Sequence, residues 1–384
     1  MKIPIYLDNN ATTQLDPRVL EAMMPFFTNY FGNPASSNHR FGWEAQAAVE
    51  QSREKIADLI HCEPNEIIFT SGTTESNNLV IKGGFEAYRL TGNHFIYSQI
   101  EHKSVLDCFS YLKESGHTVQ TILRVDNNGL IDLGELNSVI TEKTVMISAI
   151  YANNEIGTIQ DVDGIGEMAK ERKVLFFSDA AQAVGKIPVD VQKSKIDLLT
   201  ISGHKMYGPK GIGALFIRRK NPRVKLLPQL HGGGHEKGFR SGTLNVPAIV
   251  GLGKACEIAK NEMESESARL LALRDKLEKT VVNELPNAKV NGNIGNRLPH
   301  VTNLSFSGIK GDHLLKNLKD IAVSSGSACI SATSEPSYVL KALGLSDELA
   351  FSSIRLGLGR FSTEEEVSFA AKYIIQTVKN LMNS

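Results

Sequence analysis

A chain of 384 residues in which short β-branched and aromatic runs alternate with longer helical patterns has few folds open to it. The runs fall at 66–70, 94–98, 145–150, 174–178, 197–201 and 213–217. Each is too short for a helix and nearly continuous in apolar character, the pattern of strands covered on both faces in a parallel sheet. An α/β protein with a largely parallel sheet is the expectation. The stretch 262–285 has helical periodicity with dense charge, and Ser362 with Glu365 has the spacing of a capping box that opens a last helix. These suit a smaller second domain, with the boundary near residue 250.

Composition removes several function classes. Lys plus Arg (42) cancels Asp plus Glu (42), so no global field draws the chain to nucleic acid or to an anionic membrane. The opening MKIPIYLDNNATT has no apolar leader, and no run approaches the roughly 20 apolar residues of a membrane span. The cytoplasm is the expected compartment. Cysteines stand at 62, 108, 256 and 329 with no C-x-x-C pair, which reads as free thiols.

Three places at predicted strand ends carry chemistry. The first run leads into Ser71-Gly72-Thr73-Thr74-Glu75-Ser76, a helix start whose free N–H groups and hydroxyls can hold a phosphate, although an ordinary helix cap explains it as well. Asp179 ends the run 174–178 and is followed by Ala180 and Ala181. A carboxylate there can keep a pyridine nitrogen protonated, or simply cap a helix. Ser202-Gly203-His204-Lys205 follows another apolar run, and a lysine so placed can form a Schiff base while Ser202 and His204 donate to a phosphate. Tight turns alone would also account for the glycines, and Lys210, between Pro209 and Gly211, reads as a surface charge.

The ordered set YLDNNATT, FGNPAS, TSGTTESNN, IEHKSVLD, NNEIGT, SDAAQAVGK, SGHKMYGPKGIGALF, GGGHEKGFRSGT and SSGSACISATSEPSYVLKALG resembles the NifS/IscS-type cysteine desulfurases of the class V aminotransferase family. The resemblance implies a pyridoxal 5'-phosphate enzyme of fold type I, like aspartate aminotransferase. Its large domain would be 16–250, and its small domain 1–15 with 251–384, carrying a mobile sulfur-acceptor loop at about 324–336. It implies that Lys205 holds the cofactor, that Asp179 meets the pyridinium nitrogen and that Gln182 meets the phenolic oxygen. Thr74, Ser202 and His204 match phosphate ligands, with Thr73 adjoining, and Thr243 matches one donated by a second subunit of a homodimer. His102 matches an imidazole stacked over the ring, where it can also move protons, and Asn154 matches a further cofactor contact. Arg355 resembles the arginine that grips the substrate carboxylate, with Asn33 as its helper. The apolar neighbours of Arg355 also favour a buried, paired arginine.

Cys329 lies in a run of small and polar residues closed by Pro336, a loop on which a thiol has reason to react. Cys62, Cys108 and Cys256 read as apolar filler. The implied reaction converts L-cysteine to L-alanine and leaves the sulfur on Cys329 as a persulfide, to be passed to an iron-sulfur scaffold or another acceptor. No metal ion is expected within the chain, Cys329 being the residue that would meet a cluster on a partner. Ala181 and Ile330 stand where relatives often have threonine. Competing readings are a selenocysteine lyase, an aminotransferase of the same fold, and a non-catalytic sulfur-transfer scaffold; the glycines between His231 and His235 argue against a metal site there.

Overall fold

A computed structural model of the chain describes residues 2–325 and 335–383. All six expected runs are strands of one seven-stranded sheet: β2 (Ile67–Thr70), β3 (His94–Ser98), β5 (Thr144–Ser148), β6 (Leu175–Asp179), β7 (Leu198–Ser202) and β8 (Gly213–Ile217). The seventh, β4 (Val119–Leu123), pairs with β3 at the edge of the order β2-β8-β7-β6-β5-β3-β4. Pairing is parallel throughout except at β8, which runs against both β2 and β7. The C-terminal ends of β2, β3, β5, β6 and β7 therefore share one edge, where side chains from separate crossovers can meet. Every residue of the six expected strands is buried, whereas β4 is largely open and carries no continuous apolar run to betray it.

A second sheet, in the order β12-β10-β9, joins β9 (Ala288–Val290), β10 (Val301–Phe306) and β12 (Ser353–Gly357) in antiparallel register. The short β1 (Ile5–Tyr6) pairs in parallel with β11 (Ile321–Ala322), so the N-terminus joins elements more than 300 residues away. The apolar interior forms separate clusters. Phe176, Leu199, Ile201 and Phe216 represent the one inside the large sheet, and Leu304, Ile354, Leu356 and Ile374 the one against the second sheet. The helix Val246–Glu284 belongs to both, through Ile249, Leu252 and Cys256 at one end and through Leu270, Leu277 and Val281 at the other.

Two details differ from expectation. The charged helix begins at Val246, capped by Asn245 and with Pro247 in its first turn, rather than near 262, because the small apolar residues of its first half hide among core residues and carry little periodic contrast. The final helix, Glu364–Met382, is opened by Thr363 and Glu366, one residue beyond the expected Ser362 and Glu365. Ser362 is spent elsewhere, its Oγ accepting from the Gly359 N–H.

Arg53 and Glu236 fasten the glycine-rich 231–243 segment to the sheet. The guanidinium and carboxylate are both buried and meet in two bonds of 2.9 Å; Glu236 Oε2 also accepts the Phe69 N–H at 2.7 Å. Glu236→Ala would leave the Phe69 amide without its acceptor and the buried Arg53 with only Glu50 and the Ile67 carbonyl, so we expect a loss of about 3 kcal/mol in urea unfolding, against a smaller loss for Glu236→Gln. Equal midpoints for Glu236→Ala and the parent would show that the pair does not hold this segment.

Candidate active site

The shared strand edge opens onto a cavity of about 470 Å³ lined by Thr73, Thr74, His102, Asn154, Asp179, Gln182, Ser202, His204, Lys205 and Arg355. Segments far apart in the chain thus deliver ten of the expected side chains to one space. Lys210 is exposed but also reaches its rim, closer to the site than a plain surface charge would be.

At one end the helix Thr73–Tyr88 starts from Gly72 with no side-chain cap, so N–H groups of its first turn remain for an anion. Gly72 has φ 146°, a conformation that suits glycine, and a Cβ on facing Gly213 would lie 2.7 Å from the Gly72 Cα. Thr73 Oγ1 is buried beside this turn without a partner among the described residues. At the sheet, Asp179 Oδ1 accepts the Ala181 N–H at 3.0 Å and Oδ2 accepts from Asn77 Nδ2 at 3.0 Å. Lys205 Nζ donates to the carbonyls of Asn10 (2.5 Å) and Ala11 (2.7 Å), and Gln182 Nε2 donates to the same Asn10 carbonyl at 2.9 Å.

These groups fit a phosphorylated pyridine aldehyde. An open helix start, hydroxyls and an imidazole face the phosphate end, a carboxylate can meet the ring nitrogen, and an amine is held in reach of the aldehyde. The cavity lies in the size range of small-molecule sites.

Burial first, opposed by the Asp179 charge and reinforced by the Lys205 ammonium, holds the His102 imidazole below its ordinary value. Opposite the cofactor residues, Arg355 on β12 is buried as expected. Its Nη2 donates to Asp8 Oδ1 at 2.7 Å and its Nη1 to the Asn154 carbonyl at 3.2 Å, while Nε has no partner among the described residues. That leaves one edge of a planar guanidinium for a carboxylate.

Two expected residues stand apart. Asn33 is exposed, with Oδ1 accepting the Ala35 N–H, and it lines a separate depression of about 250 Å³ together with Thr243. Neither reaches the cavity of its own chain. Cys329 lies outside the described residues. The chain on either side of it is tied to the site: Ser324 exchanges main-chain hydrogen bonds with Arg355, Ser337 Oγ donates to Glu155 Oε2 at 2.5 Å, and Tyr338 Oη donates to the Glu101 carbonyl at 2.6 Å. The other three thiols are pushed up by burial, Cys108 to about 11, Cys256 to about 12 and Cys62 further still.

Sequence reasoning missed Asp8, Asn10, Asn77 and Ser104. Asp8 and Asn10 act through partners more than 140 residues away, and an Asp-Asn-Asn run by itself reads as a turn.

The model of the family described as "Aminotransferase class-V" matches residues 5–369. The chain belongs to the class V aminotransferase family. It is 53% identical over 383 residues to "Cysteine desulfurase IscS" of Vibrio vulnificus (strain CMCP6), covering 99% of this chain and 94% of that one. Among solved structures it is similar to a "NIFS-LIKE PROTEIN" at TM-score 0.91 and 38% identity, covering 99% and 100% of the two chains. A further structure, "SspA in complex with cysteine", matches at TM-score 0.82 and 38% identity over 94% of this chain and 100% of that one. Fold type I and dependence on pyridoxal 5'-phosphate come with the family.

His204 gives this family site a pH signature. Burial, then the charges of Lys205 and Lys210, lower its imidazole to about 4, against about 6.5 in an unfolded chain. Between those values the unfolded state binds a proton that the folded state does not, so stability falls as pH drops from about 6.5 to about 4 and this contribution levels off below. In urea unfolding of cofactor-free protein, His204→Asn should flatten that part of the curve; parallel curves for the two proteins would refute the assignment.

Proposed function

We propose that the chain is a cysteine desulfurase that converts L-cysteine to L-alanine and passes the sulfur, through a persulfide on Cys329, to an acceptor in iron-sulfur cluster assembly. The observation that carries this reading is the meeting, in one cavity, of an amine set for an aldehyde cofactor and a buried arginine with a free edge. Thr73, Thr74, Ser202 and His204 would hold the cofactor phosphate, Asp179 its ring nitrogen, Gln182 its phenolic oxygen and Asn154 its flank. When bound, pyridoxal phosphate draws electrons from the substrate's α-carbon.

Arg355 takes the substrate carboxylate through its unpaired edge while Asp8 keeps the guanidinium in place. Lys205, displaced from its carbonyl partners, is the base that moves the α-proton. The Cys329 thiolate attacks the substrate sulfur: an S–S bond forms, the Cβ–S bond breaks, and its electron pair stays on carbon, which takes a proton to become the alanine methyl group. The raised thiols of Cys62, Cys108 and Cys256 support Cys329 as the acceptor, because a thiolate is the nucleophile and theirs are suppressed.

A symmetric homodimer belongs to the proposal, with Thr243 and Asn33 completing the partner's site; their shared depression away from the cavity supports a role across an interface. So does a two-domain division, 16–250 against 1–15 with 251–384, for which the change of apolar cluster between Cys256 and Leu270 is the support. No described helix is long and apolar enough to cross a membrane, and cytoplasmic action fits a chemistry that needs a free thiol.

Incubation with L-cysteine and a thiol should release sulfide and alanine together. Cys329→Ser should bind the cofactor and keep its visible absorbance, yet lose more than about 10³-fold in turnover. Serine changes at the other three cysteines should leave most of it. Normal turnover by Cys329→Ser would remove that residue from the mechanism. Mixing Lys205→Ala with Thr243→Ala subunits should restore activity by pairing both defects in one site, and no recovery despite proven exchange would exclude a role for Thr243 across the interface.

A further inference from the structure

We propose that Asn77 and Ser104 are positioning residues that lock His102 as a neutral imidazole with its proton on Nε2, which excludes it as the base that starts the reaction. The inference rests on the function proposed above for what the lock achieves, but the lock itself stands on hydrogen-bond directions.

The chain of directions begins at Asp179. An ionised carboxylate only accepts, so the Asn77 group beside Oδ2 at 3.0 Å must be the amide nitrogen. The same Nδ2 lies 2.8 Å from Ser104 Oγ and donates to it. With that lone pair taken, the Ser104 hydroxyl proton is free to point at His102 Nδ1, 2.8 Å away. The Ser104 N–H also donates to Nδ1, at 3.2 Å, as His102 caps the helix Lys103–Glu114. A nitrogen receiving two donors carries no proton of its own. Nε2 must then hold it, and His102 lines the cavity.

Asn77 is fully buried and its Oδ1 has no partner among the described residues, so the amide spends both nitrogen hydrogens on these two contacts and leaves its oxygen unused. An unpaired buried acceptor is costly, and its retention argues that the donor directions are what this position supplies.

The charges around His102 fit the lock. Asp179 on β6 and Asp107 on its own helix favour a cationic ring, Lys205 opposes it, and burial outweighs them. The adjacent Glu101 carboxyl is completely buried and held well above its usual range by that burial and by Asp179. The Lys103 ammonium is engaged over the Tyr338 ring, 5.3 Å from its centroid. To become a cation, His102 would have to place a hydrogen on Nδ1 against the Ser104 N–H. To act as a base at Nε2, it would first have to give up the hydrogen already there. Of the two groups considered for the substrate's α-proton, His102 and Lys205, the lock leaves it to Lys205. His102 then meets the substrate as an N–H donor rather than as a base.

The test is nitrogen NMR of the holoenzyme labelled with ¹⁵N-histidine, with His102 identified from the signals lost in His102→Asn. The parent should show a single tautomer protonated at Nε2, with no cationic form at neutral pH and a titration below the ordinary histidine value. Asn77→Leu removes both donors and frees Ser104 to accept, so the Nδ1-protonated form should become detectable and the titration should move up. Ser104→Thr keeps the hydroxyl and should retain the parent tautomer. An Nδ1-protonated or cationic His102 in the parent overturns the proposal, as does an unchanged ring in a folded Asn77→Leu protein. Sulfide release measured on the same samples keeps the two readings apart: a locked tautomer without desulfuration would defeat the proposed function alone, and desulfuration with an unlocked ring would defeat only the relay.

Discussion

An ammonium in a half-buried cavity must find oxygen, and Lys205 finds it in the main-chain carbonyls of Asn10 and Ala11. Much of the site's order follows from that grip. The segment bearing those carbonyls is tied to the second sheet by β1 and by Asn9, whose N–H and side-chain amide both donate to the Gly357 carbonyl. A few residues on, Thr13 donates through N–H and hydroxyl to the His204 carbonyl and accepts the Tyr207 N–H. Asp8, in the same strap, holds Arg355. One stretch of about a dozen residues thereby sets the distance between the amine proposed for the cofactor and the guanidinium proposed for the substrate, holding the first through main-chain carbonyls and the second through the Asp8 carboxylate.

Beneath the strap lies a buried charged cluster. Asp16 and Glu266 each bond Arg360 at 2.7 Å, and Arg360 and Lys186 both lie against the Tyr207 ring, the ammonium 3.9 Å from its centroid. Complete burial lowers Lys186 to about 7, with Glu266 pulling the other way from 4.0 Å. Ion pairs this deep add little net stability, since desolvation offsets their attraction. Their effect is geometric: they join Asp16 from the strap, Glu266 from the long helix and Arg360 from the turn after β12 around Tyr207, two residues beyond Lys205.

The sheet was legible because six of its strands are buried on both faces and so read as unbroken apolar runs; β4, at an edge, has no such run. Asp179 and Ser202 were legible because each ends a strand where a parallel sheet gathers its chemistry, and Lys205 because it lies in the short turn directly after β7. Arg355 showed itself through apolar neighbours. Asn77 and Ser104 were not legible, since their meaning lies in donor directions between residues on different helices, which no local pattern records. The capping box slipped by one because Ser362 with Glu365 and Thr363 with Glu366 have the same spacing, and only the fold decides which hydroxyl is free.

Sulfur at the persulfide level is transferable, and any ionised thiol nearby can draw it off and scatter it within the protein. Burial takes that option from three of the four cysteines by keeping their protons on. Under the proposed function the interior would work as a set of closed doors: a sulfur atom leaving Cys329 would find none of these three thiols ready to take it, which favours an acceptor that comes from outside.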